Sequence, residues 1–144
     1  MFWVTRANAR VDRVACPWLV KRFIDREAQF LFMPPNQVLA TAKALKGKSF
    51  DAPGADYGHR GKLCTFEVLV QDLGLAQDAA LVKLARIVHA ADVEGEMDTA
   101  PEGPGLFAFS EGLHASVKDD HRKVQLARPL YDALYAYCGG KDAV

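Results

Sequence analysis

The apolar and polar positions divide the chain into a strand-bearing first third and a helical remainder. Phe2 to Arg6 is aromatic and β-branched and predicts a short strand ending in the polar turn around Asn8. From Cys16 to Arg26, Cys16, Leu19, Val20, Phe23 and Ile24 recur at helical spacing. Pro17 is expected in the first turn of that helix, where its missing N–H is not needed. Gln29 to Met33 is an apolar run closed by Pro34 and Pro35 and predicts a second strand, and Val38 to Leu45 predicts a modest helix before Gly47. Ser49 to Ala52 is a candidate third strand. Pro53 to Lys62 reads as a loop, with Gly54, Gly58 and Gly61 around Asp56 and His59.

Further along, Phe66, Leu69, Val70 and Leu73 line one side of a helix that should end near Gly74. Asp78 is placed to cap the next helix, running through Leu81, Leu84, Ala85 and Val88 to about Gly95, so the two should form a hairpin. Met97 to Gly105 carries two prolines and two acids and reads as a loop. Leu106, Phe109, Leu113 and Val117 suggest another helix, and Ala127 to Cys138 a last one, interrupted or restarted at Pro129. The expectation is an α+β fold: a small N-terminal sheet with two helices, then a mainly helical second half, all in one domain over 1–144.

Composition narrows the partners. Half of the 144 residues are apolar, enough for a substantial core, and 18 basic residues offset 18 acidic ones. No net field draws the chain to nucleic acid or an anionic membrane, so neither is expected as a partner. No apolar run approaches the ~20 residues that span a bilayer, and MFWVTRANAR lacks the apolar centre of a secretory signal, which makes a cytoplasmic location the expectation. Cys16, Cys64 and Cys138 are odd in number and widely spaced, the pattern of reduced thiols rather than of a disulfide framework.

Candidate chemistry centres on the helix after Asp78. At about 100° per residue, Leu81, Ala85 and Val88 fall in one narrow arc; Asp92 lies inside it and His89 on its shoulder. A carboxylate on an apolar face near a helix C-terminus needs a cation or a proton. A divalent metal meets that need, because residues three apart converge on one point. Glu67 on the preceding helix and His59 in the glycine-containing loop complete a candidate ligand set of Glu67, His89, Asp92 and His59. Mixed imidazole and carboxylate ligation suits zinc, iron or manganese. The competing structural reading makes Glu67 an ordinary first-turn acid and His89 a donor to a backbone carbonyl.

Four segments, WVTRANARVDRVACPWLVKRFID, YGHRGKLCTFEVLV, LARIVHAADVEGE and LYDALYAYC, occur in that order. Together they resemble the C-terminal domain of the chromate resistance protein B family, over nearly the whole chain. The resemblance implies a role in bacterial chromate resistance, a stress response, without naming a reaction. Longer family members are described as chromate-responsive regulators; because the chain starts almost at WVTRANAR, their transcriptional role is not carried over here.

Chromate is a tetrahedral dianion, and Arg6, Arg10, Arg13 and Arg22 surround the start of the first helix. Arg13 and Arg22 are therefore the candidate contacts of an oxyanion ligand, against the alternative that these arginines pair with Asp12, Asp25 or other acids. In such an oxyanion-sensing module the N-terminal arginines would hold the ligand. Thiol-based redox chemistry at Cys16 or Cys64 is a third reading, with a lowered Cys16 pKa expected if it lies at the helix N-terminus near Arg13. His114 and His121 are read as surface residues, and Tyr131, Tyr135 and Tyr137 as packing or homodimer-contact residues.

Overall fold

The computed structural model describes residues 1–141. Three parallel strands, β1 (Phe2–Arg6), β2 (Gln29–Met33) and β3 (Lys48–Ser49), form a sheet in the order β2-β1-β3. Phe2 of β1 pairs with Gln29 of β2, and Trp3 with Lys48 of β3. Helices α1 (Val11–Leu19) and α2 (Val38–Ala44) belong to this half, and α3 (Thr65–Asp72), α4 (Ala79–Asp92), α5 (Gly103–Ser116) and α6 (Asp120–Tyr137) follow. The α+β expectation describes this arrangement. Among the described residues no helix is long and apolar enough to cross a membrane.

The central strand explains the layers. Trp3, Val4 and Thr5 are consecutive yet all buried, as in a parallel strand covered on both faces. Val4 packs with Val38 and Ala42 of α2, while Trp3 joins the larger core of α1, α3, α4 and α6. Leu19, Phe66, Leu69, Leu81, Leu84, Ile87 and Tyr131 form the fully buried centre of that core. Each such aliphatic side chain contributes about 1.5–3 kcal/mol relative to exposure.

The structure moves several expected boundaries. Helix α1 starts at Val11 rather than Cys16, so Pro17 lies inside it. Val11, Val14, Ala15 and Trp18 continue its buried face, and Asp12 is buried beside them. Beyond Leu19 the helix relaxes into a π-helical turn, Val20–Ile24, closed by the Asp25 amide donating to the Val20 carbonyl. Strand β3 is Lys48–Ser49 instead of Ser49–Ala52, because Asp51 takes a left-handed conformation (φ 50°) that turns the chain out of the sheet. Within the expected loop from Met97, a 3₁₀ turn spans Met97–Thr99 and α5 already begins at Gly103, which nestles against Ala90 of α4. Helix α6 continues through Pro129 without a break.

Candidate metal centre

The N-terminal ends of α1 and α3 meet at Asp12. Its carboxylate, 1 % exposed as a residue, accepts from the Thr65 amide at 2.8 Å and the Phe66 amide at 3.0 Å, the first two residues of α3. These amides have no partner within their own helix, so Asp12 caps α3 from another element. The Cys16 thiol donates to it at 3.6 Å from one turn along α1. Asp51, placed by its left-handed turn after β3, accepts from the Thr65 hydroxyl at 2.9 Å. It also pairs with Arg13 at 3.3 Å and Arg6 at 3.6 Å.

The loop between β3 and α3 lays His59 across these acids. Its Nε2 is 3.4 Å from Asp12, 3.4 Å from Asp51 and 3.3 Å from Asp92 at the end of α4. One imidazole thus faces three carboxylates. A hydrogen bond to Asp12 and the charges of Asp12, Asp51 and Asp92 outweigh burial and raise the His59 pKa to about 9. Burial first, then repulsion from Asp12 and Asp51, lifts the Asp92 carboxyl to about 7 against the pull of His59. The C-terminal position of Asp92 in α4 adds an unfavourable macrodipole.

The ligand atoms of Asp12, His59 and Asp92 all lie within 4.8 Å of one another. Metal–ligand bonds of about 2.0–2.2 Å to oxygen and nitrogen fit a group of that size after small closure. Nearby, the buried Tyr131 hydroxyl has Ser110 as a side-chain partner, and Asp12 and Asp92 act electrostatically on it. The donor set of two carboxylates and one imidazole suits a cation with polar ligands.

A second group holds the other predicted ligands. Glu67 caps its own helix by accepting from the Cys64 amide at 2.9 Å, and the same oxygen, Oε1, lies 2.5 Å from His89 Nδ1. Cys64 completes a triad whose ligand atoms also lie within 4.8 Å. Glu96 approaches His89 Nε2 at 3.5 Å. Burial lowers the His89 pKa, but Glu67 and Glu96 outweigh it and the net shift is upward.

The structure therefore divides the predicted set of Glu67, His89, Asp92 and His59 between two groups. Asp12 and Asp51 stand outside the ligand set expected from the sequence. Asp12 lay in an apparent turn before the predicted helix, and Asp51 in a predicted strand. The signal for Asp12 was the spacing of Val11, Val14, Ala15 and Trp18, which continues the helix backwards and puts an acid in its first turn.

The oxyanion candidates face acids instead. Arg13 pairs with Asp51 and donates to the Asn8 carbonyl at 3.1 Å. Arg22 pairs with Asp132 at 2.8 Å and lies over the rings of Trp18, Phe23 and Tyr135. Cys16 sits within α1, not at its start, and burial and Asp12 push its thiol pKa well up, contrary to the lowered value expected. Burial likewise raises Cys64. His121 is exposed and stacks edgewise on Phe32, whereas His114 is half-buried and meets the buried Lys123 at 3.2 Å. Tyr131 and Tyr135 are core residues, and Tyr137 is exposed.

Comparison with known proteins gives this geometry a family. No solved structure matches the chain. Protein ChrB of Cupriavidus metallidurans (strain ATCC 43123 / DSM 2839 / NBRC 102507 / CH34) is 34% identical over 140 residues, covering 94% of this chain. The chain spans 40% of that relative's length. The family model described as "ChrB, C-terminal domain" matches residues 3–138, and the chain belongs to that family.

Proposed function

We propose that this chain is a divalent-metal-binding domain serving chromate resistance, with its primary ion held by Asp12, His59 and Asp92 and flanked by Asp51. One observation carries the reading: His59 Nε2 stands within 3.4 Å of three different carboxylates, two of them buried. Partial charge from the α3 amides meets Asp12, and arginines meet Asp51. Asp92 has His59 and an adverse helix end. A divalent ion replacing the His59 proton would satisfy all of them, and the oxygen-rich set with one imidazole favours zinc, iron or manganese. The arginines of the oxyanion reading already have carboxylate partners, which favours a cation at this site over an anion.

Elemental analysis and calorimetry with zinc and manganese test the reading. The wild-type chain should bind metal saturably, and His59→Ala should lose this ion while keeping its circular dichroism. Saturable binding unchanged in His59→Ala, or no binding at all, overturns it. Chromate survival of a sensitive bacterium expressing either form tests the biological half. Equal protection by both forms would separate metal binding from resistance.

A further inference from the structure

The geometry points to a second metal position in the same domain: we propose that Cys64, Glu67 and His89 hold a thiolate-ligated divalent ion beside the His59 centre. The three residues come from the start of α3 and the last turn of α4, and they are positioned for reasons independent of any ion. Cys64 is the residue before α3, fixed by its amide's bond to Glu67. Glu67 is held by that same bond, and His89 is anchored one turn before Asp92. Their ligand atoms lie within 4.8 Å of one another.

The second observation is the environment of the imidazole. His89 has a carboxylate at each ring nitrogen, Glu67 at Nδ1 and Glu96 at Nε2. A metal-ligating histidine characteristically donates its other ring N–H to a carboxylate, which fixes the tautomer and orients the ring. Here Glu96, from the turn after α4, occupies that outer place, leaving Nδ1 toward Glu67 and the thiol. Cys64 is fully buried, so sulfur is shielded from solvent oxidants. On binding, the ion displaces the thiol proton and the proton between Glu67 and His89, both released to solvent. No electron transfer is involved. One sulfur, one nitrogen and one oxygen suit a borderline ion such as zinc, cobalt(II) or iron(II), in contrast to the harder neighbouring set.

The two groups are neighbours: Asp12 holds the amide of Thr65, next to Cys64, and Asp12 and Asp92 act electrostatically on the Cys64 thiol. The inference nonetheless uses different ligands from the His59 centre, so the two readings fail separately. The full chain is titrated with cobalt(II) under anaerobic conditions, and zinc content is measured in parallel. The wild type should develop an intense near-ultraviolet sulfur-to-cobalt charge-transfer band and hold two zinc equivalents. Cys64→Ser should lose the band and one equivalent, while His59→Ala keeps the band and loses the other. X-ray absorption of the zinc-loaded wild type supplies a readout that needs no variant to fold: a sulfur shell at about 2.3 Å averaging one sulfur per two zinc ions. Absence of both band and sulfur shell, or a band of full intensity in a folded Cys64→Ser, overturns the proposal. Loss of metal in His59→Ala without loss of the band supports both centres, and a band with a single equivalent insensitive to His59→Ala supports the thiolate centre alone.

Discussion

Asp92→Asn should strengthen the metal-free fold and weaken the metal-bound one. In the metal-free protein the Asp92 carboxylate is largely buried, repelled by Asp12 and Asp51, and placed at the negative end of α4. Its pKa rises from 3.8 to about 7. At about 1.4 kcal/mol per pH unit, that interval amounts to about 4 kcal/mol of destabilisation when Asp92 is ionised. Asparagine removes the charge with little change of shape, and the attraction of half-exposed His59 is already contained in that interval. The net expectation is a gain of about 3–4 kcal/mol. Urea unfolding with chelator present at neutral pH reads it as a rise of about 2 M in midpoint, for a slope of about 1.5–2 kcal/mol/M. The pH dependence has a definite sign. Between 3.8 and about 7 the folded state carries a proton at Asp92 that the unfolded chain has lost, so wild-type stability from this group falls as pH rises through that window. The advantage of the variant should shrink on acidification and vanish below the lower value. Zinc affinity should move the opposite way, falling at least about tenfold with loss of one ligand. A variant no more stable than wild type in chelator, or one that binds zinc unchanged, would refute the reasoning.

Asp12→Ala should cost about 3–5 kcal/mol in chelator, because it strips two buried α3 amides of a charged acceptor; equilibrium unfolding measures this, and a loss below about 1 kcal/mol would show that water replaces the carboxylate. Gly103→Ala should destabilise by about 1–3 kcal/mol, since the added Cβ would stand 2.6 Å from the Met97 carbonyl oxygen and 2.8 Å from the Ala90 Cβ; thermal unfolding checks it, and an unchanged midpoint refutes the close packing of α5 on α4. For Asp120, burial is outweighed by the Ala9 amide, Lys123 and the Asn8 amide, so its pKa is lowered. Its contribution is present above the unfolded value of 3.8 and is lost as pH falls through the lower folded value. Asp120→Asn should therefore be less stable than wild type at neutral pH, with the gap closing under acid in a urea series; a gap independent of pH would contradict the ionic origin.

Periodicity alone located the strands Phe2–Arg6 and Gln29–Met33, the α3–α4 hairpin and the mainly helical second half, because those segments bury simple apolar faces that local spacing records. It also singled out Asp92, as an acid on an apolar arc, and His89 beside it. Where polar residues turn inward, the same pattern misled. Asp12 and Arg13 looked like the polar margin before a helix, yet they lie inside its first turns, with Asp12 held by α3 and Arg13 by Asp51. Asp51 looked like part of a strand until its left-handed backbone turned it toward His59. Which acids share the imidazole, and the separation of the expected ligands into the Asp12–His59–Asp92 and Cys64–Glu67–His89 groups, depend on how two helix starts, one helix end and a loop are juxtaposed. Those residues are separated by up to tens of positions along the chain. Local spacing records which face of an element is apolar; only tertiary packing decides which buried charges meet and must be answered together.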